Sequence, residues 1–147
     1  MNAPAVLYWD ASAVLSILLQ DRHSGAAQAW ARRTGFHLLS TLAWAEVHAI
    51  LGRAQRERVV AAVLLSAARE SLEAGPWHRV NVSPDWQTIQ DLASRWSLRG
   101  ADLWHLAAAK SLQAELPELF LLSYDARLTE AARGEGLVED REDRHSP

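Results

Sequence analysis

The sequence predicts an α/β fold: a helix-rich α/β/α sandwich around a short central parallel sheet. Short apolar runs alternate with longer segments of helical period, and the runs at 5–9 and 119–122 are continuously apolar. Continuous runs belong to strands buried on both faces, which in a strand–helix–strand order means parallel neighbours covered by helices. An acid also follows two of these runs: Asp10 directly after Val6-Leu7-Tyr8-Trp9, and Asp125 shortly after Leu119-Phe120-Leu121-Leu122. Ligands of parallel sheets gather beyond the carboxyl ends of the strands, where these acids are expected.

The elements follow in order. A strand is expected at 5–9, then an apolar helix over 12–19, which Asp21-Arg22-His23-Ser24-Gly25 interrupts before a helix over 26–33. A second strand reads at 37–40. Thr41 is a plausible N-cap for a helix through Ala54, whose apolar positions 43, 47, 50, 51 and 54 keep the helical period. An amphipathic helix over 57–73 stops at Gly75-Pro76, and 78–82 alternates as a strand. Ser83-Pro84-Asp85 starts a helix reaching about Trp96, Arg99-Gly100-Ala101 leads into one over 102–115, and Pro117 breaks it. After the strand at 119–122 comes a short helix over 127–133, ended by Gly134 or Gly136, with Leu137-Val138 as a last edge strand. The expected organisation is one domain over 1–138 and a disordered acidic tail over 139–147.

At 147 residues and 49% hydrophobic content, the chain can bury one sizeable core. With no cysteine it has neither a disulfide framework nor a thiolate metal site, and an intracellular, cytoplasmic protein is the simplest expectation. No apolar run approaches the roughly 18 residues of a membrane span, and the N-terminus does not read as a signal peptide. The net charge of −3 conceals a division: the tail over 139–147 holds four acids and two arginines, leaving fourteen acids and thirteen bases over 1–138. Fourteen of the fifteen bases are arginine. Arginine's planar fork suits phosphates, although codon bias in an Ala- and Arg-rich chain accounts for the same excess.

Four acids are hard to explain by solvation. Besides Asp10 and Asp125, Glu46 lies in the apolar helical stretch 42–51 near Leu42, Ala49 and Ile50, and Asp102 opens the helix continuing Leu103-Trp104-His105. Carboxylates in such places are costly unless paired, hydrogen-bonded or bound to a cation. Helix capping is the ordinary alternative for Asp10, Asp102 and Asp125, and surface exposure for Glu46. Gathered together, the four would instead bind a hard divalent metal and suit phosphodiester chemistry. Ser12, two residues after Asp10, would share the capping or hold a site water.

Competing constellations are weaker. His105 follows Asp102 by three residues, a spacing that permits a shared helical metal face, but no second histidine stands at a zinc spacing, so a packing or peripheral role is expected. Glu46-Val47-His48 lacks the zinc-protease pattern, no Gly-rich phosphate loop occurs, and Ser12, Ser40 and Ser123 lack a nucleophile elbow. Most of the seven tryptophans read as core or interface anchors rather than base-stacking platforms.

Four segments then resemble one family. Tyr8-Trp9-Asp10-Ala11-Ser12-Ala13-Val14, Thr41-Leu42-Ala43-Trp44-Ala45-Glu46-Val47, Arg99-Gly100-Ala101-Asp102-Leu103-Trp104-His105-Leu106-Ala107 and Leu122-Ser123-Tyr124-Asp125-Ala126-Arg127-Leu128 are similar, in order and spacing, to the acidic segments of the PIN domain. Within it the chain resembles the toxin ribonucleases of VapBC-type toxin–antitoxin pairs, over residues 5–138.

The resemblance implies a PIN-like fold and a Mg²⁺- or Mn²⁺-dependent endoribonuclease. Asp10 and Asp102 would be direct metal ligands, Glu46 would ligate or position the attacking water, and Asp125 would complete the site. Ser12 and Ser123 would hydrogen-bond these carboxylates. It also implies an RNA substrate, a small cognate antitoxin and homodimerisation. Two other readings stand beside it: a non-catalytic PIN-like nucleic-acid-binding module, and a Mg²⁺-dependent phosphatase. A haloacid-dehalogenase-type phosphatase needs a second Asp where this chain has Ser12.

Overall fold

The computed structural model describes residues 4–138, so the expected tail over 139–147 lies outside the described residues. Four parallel strands form one sheet: β1 (Ala5–Trp9), β2 (Gly35–Ser40), β3 (Trp77–Val80) and β4 (Leu119–Leu122), in the order β3-β2-β1-β4. Helices α1 (Ala11–Leu18) and α2 (Ser24–Ala31) connect β1 to β2, and α3 (Thr41–Arg56) and α4 (Ala62–Ala74) connect β2 to β3. The chain then returns through α5 (Trp86–Arg95) and α6 (Gly100–Gln113) to β4 on the far side of β1, and ends on α7 (Ala126–Gly134).

This reversal decides which face each helix covers. Parallel crossovers are right-handed, so connections running in opposite directions along a sheet lie on opposite faces. Alternate residues of β1 record the result. Leu7 and Trp9 pack with core residues of α1 to α4, whereas Val6 and Tyr8 pack with core residues of α5, α6 and α7. Both faces of β1 are therefore buried, which is why its five residues read as an unbroken apolar run. The reversal also opens a crevice between the carboxyl ends of β1 and β4, a topological switch point.

The expected α/β/α architecture is present, with local differences that have physical causes. The helix predicted over 57–73 begins only at Ala62. Arg58 adopts a left-handed φ of 54°, and the Val59 and Arg58 amides close α3 onto the Ala54 and Gln55 carbonyls. This ending is normally built on glycine, so residue preference alone did not announce it. Ser40, not Thr41, caps α3, its Oγ accepting from the Ala43 amide at 3.1 Å. The Ala43, Val47, Leu51 and Ala54 stripe faces the core as expected, while Ile50 is 44% exposed.

Strand β2 begins at Gly35, earlier than predicted, because the φ of +147° there sets the backbone against β1. A Cβ at that position would lie 2.0 Å from the Ala5 carbonyl oxygen, which only glycine avoids. Leu137 and Val138 form no strand; one bond of 2.7 Å joins the Leu121 amide to the Leu137 carbonyl. No helix among the described residues is long and apolar enough to cross a membrane.

Candidate active site

Strands β1 and β4 run side by side with Trp9 opposite Leu122, so Asp10 and Ser123 emerge next to each other. The Asp10 amide continues the ladder by donating to the Leu122 carbonyl at 3.1 Å. Asp10 is 3% exposed, and three hydrogen bonds reach its carboxylate, two on Oδ1 and one on Oδ2. Its Oδ1 accepts from Ser12 Oγ at 2.7 Å and from the Ala13 amide at 2.9 Å, and its Oδ2 accepts from Ser123 Oγ at 2.6 Å. Burial pushes this carboxyl above the ordinary range, while the bonds from Ser123, Ala13 and Ser12 and the neighbouring His105 pull it back. Capping and site-building are thus one geometry at Asp10, which is also the N-cap of α1.

Asp125 repeats the pattern after β4. It caps α7 through Oδ1, which accepts from the Leu128 amide at 2.9 Å, and its own amide donates to Ser123 Oγ at 3.1 Å. Ser12 Oγ accepts from the Tyr124 amide at 2.9 Å. Ser12 and Ser123 therefore tie the two strand ends together, and each touches Asp10.

The other two acids come from helices. Asp102 lies in the first turn of α6 but does not cap it; the cap position is Arg99. Its carboxyl is also raised, first by burial, then by the negative charges of Asp125 and, more weakly, Glu46, with His105 and Arg99 opposing. That pattern of repulsion shows that α6 brings Asp102 within electrostatic reach of the acids from β4 and α3. No side chain among the described residues donates a hydrogen bond to it. Glu46, in the second turn of α3, has a side chain 30% exposed. Its Oε1 lies 2.6 Å from Nε2 of His105, which is 1% exposed. His105 is buried, as a packing role expects, and it also links Glu46 of one helical layer to α6 of the other across the end of the sheet.

All four predicted acids therefore lie at the carboxyl edge of the sheet. Ser12 and Ser123 stand where they were expected beside Asp10. The Tyr8 and His105 connection to Glu46 was missed, because no local pattern links residues so far apart in the chain. Among the described residues, no three of these side chains form a ready-made metal cage. The donor set nonetheless fits Mg²⁺ or Mn²⁺: hard carboxylate oxygens from separate elements, repelling one another. Mg²⁺ keeps several waters and uses one or two carboxylates rather than a closed protein cage.

A model of the PIN domain family matches residues 7–134, spanning all four acids. The chain belongs to the PIN domain family. Among solved structures, this PIN domain is similar to the VapC20 toxin of Mycobacterium tuberculosis, described as cleaving the sarcin–ricin loop. The TM-score is 0.57 at 13% identity, over 85% of this chain and 94% of that one, a likeness of fold. Comparison with curated proteins returns no match.

Proposed function

We propose that this PIN domain is a metal-dependent endoribonuclease and the toxin of a type II toxin–antitoxin pair, working in the cytoplasm. The observation that carries the reading is the convergence of Asp10, Glu46, Asp102 and Asp125 at the carboxyl edge of β1 and β4. Membership of the family and a fold shared with an RNA-cleaving toxin support it.

Asp10 and Asp102 offer carboxylate oxygens to Mg²⁺ or Mn²⁺, with Asp125 completing the site. The bound metal would neutralise charge growing on the scissile phosphate and make water a stronger nucleophile at neutral pH. Glu46 would ligate the metal or position the attacking water. Ser12 and Ser123 hold Asp10 in one rotamer, so its position does not depend on the ligand.

Arg99 and Arg127 flank the acids in sequence, and both are exposed. Arg127 lines a hollow of about 340 Å³ with Trp96, Ser97, Leu98 and Glu130, a place for an RNA strand to lie. Exposed Val59, Val63 and Leu64 around the start of α4 suit a protein partner, the antitoxin or a second copy. A short reading frame for a DNA-binding antitoxin immediately upstream would support the pairing.

The test is RNA cleavage with added Mg²⁺ or Mn²⁺. Wild type should cut and should lose activity on chelation. Metal-dependent cleavage retained by purified Asp10→Asn and Asp102→Asn proteins would sink the assignment.

A further inference from the structure

A buried polar chain runs from Tyr8 through His105 to Glu46. Tyr8, on the face of β1 turned toward α6, places its hydroxyl 2.6 Å from His105 Nδ1 and 3.3 Å from Ser40 Oγ. His105 Nε2 lies 2.6 Å from Glu46 Oε1. Both rings are essentially without solvent access, and Tyr8 and Trp104 each flank the imidazole edge-on, with centroids 5.7 Å away.

The proton positions follow from the partners. A carboxylate only accepts, so Nε2 carries the hydrogen it gives to Glu46. In the neutral ring Nδ1 is then bare and accepts the Tyr8 proton at 2.6 Å, so the 3.3 Å contact takes the Ser40 hydroxyl as donor to the Tyr8 oxygen. Ser40 and Glu46 both belong to α3, one as its cap and one in its second turn. The chain therefore grips α3 at two points from the centre of the sheet, and leaves Glu46 Oε2 without a hydrogen-bond partner among the described residues.

We propose that Tyr8 and His105 are positioning residues that aim the Glu46 carboxylate at the acid rim, with Oε1 held by His105 and Oε2 presented to the metal site. This rests on the nuclease reading above. A purely structural role also needs a partner for each buried ring nitrogen; positioning adds that the acceptor facing Nε2 is a carboxylate of the acid rim, carried by the opposite helical layer.

The experiment compares the full-length wild type with Tyr8→Phe, His105→Gln and His105→Leu. Mn²⁺ affinity is measured by calorimetry without RNA, alongside thermal melts and kcat and KM on RNA. Tyr8→Phe and His105→Leu should weaken Mn²⁺ binding by about 10-fold or more, as loss of partners behind a ligand does. They should also lower kcat with little change in KM. His105→Gln keeps an N–H for Glu46 and should recover part of both. Wild-type Mn²⁺ affinity and kcat in Tyr8→Phe and His105→Leu would overturn the relay while leaving the nuclease reading intact. If His105→Leu does not fold, Tyr8→Phe decides alone. If the wild type itself takes no Mn²⁺, the nuclease reading fails first and the relay's role falls with it.

Discussion

Asp10 and Asp102 stand on the same rim with carboxyls raised above the ordinary range, yet the fold treats them oppositely. Asp10 is sunk at the end of a strand and receives three hydrogen bonds, which oppose the burial that raises its carboxyl. Asp102 is half-buried, receives none among the described residues, and is further raised by Asp125 and Glu46. The strand half of the site is prebuilt; the helix half carries repulsion that a cation would relieve. An anchored carboxylate beside one raised by its acidic neighbours is an arrangement whose repulsion a divalent cation would offset.

This contrast can be broken at several points. The largest effect should come from Asp10→Asn. The amide still accepts from Ala13 through Oδ1 and can donate to Ser123 through Nδ2, so the fold should persist, or gain stability from lost repulsion, while cleavage falls to background. A gel assay on RNA beside a thermal melt checks both halves of the statement.

Ser123→Ala tests the prebuilt half. It removes a 2.6 Å bond to a buried carboxylate and should cost about 1–3 kcal/mol in urea unfolding, the range for stranding a buried polar group. A change near zero would mean that water replaces the hydroxyl and that Asp10 is less enclosed than its contacts indicate.

Asp102→Asn tests the unfinished half through pH. A carboxyl raised in the folded state contributes stability that is fully present below its unfolded value, about 3.9, and is lost as pH rises through the folded value. Relative to wild type, the variant should therefore gain stability as pH climbs from about 4 toward neutrality. Added Mn²⁺ should erase that gain by stabilising only the wild type. Melting curves across this pH range, with and without metal, report it; a pH-independent difference would refute the repulsion.

The smallest effect belongs to an ion pair away from the acid rim. Arg79 and Glu73 meet at 2.8 Å with both side chains more than half exposed, and Glu73→Gln should change stability by no more than about 1 kcal/mol. A larger loss in urea unfolding would show that charge in general, rather than its placement on the rim, governs this protein.

Much of this was legible from residues alone. The unbroken apolar runs at β1 and β4 announced strands buried on both faces, and the acids after them marked the carboxyl edge of the sheet. Periodicity placed the buried stripe of α3, because residues four apart share a helical face whatever they pack against. What could not be read were matters of backbone conformation and of distance between remote segments. The left-handed Arg58 ended α3 where composition continued it, since nothing in an arginine advertises that conformation. Asp10 caps α1 and also meets Ser123, a contact that only the adjacency of β1 and β4 creates.

His105 is the sharpest case. Ninety-seven residues separate it from Tyr8 and fifty-nine from Glu46, and no local pattern ties them. The sequence by itself determined the element types, the parallel sheet and which acids sat at element ends, because those follow from periodicity and local chemistry. Only the tertiary structure decided that three layers meet at one buried imidazole, because the strand order β3-β2-β1-β4 sends α3 and α6 to opposite faces and closes them over the same strand end.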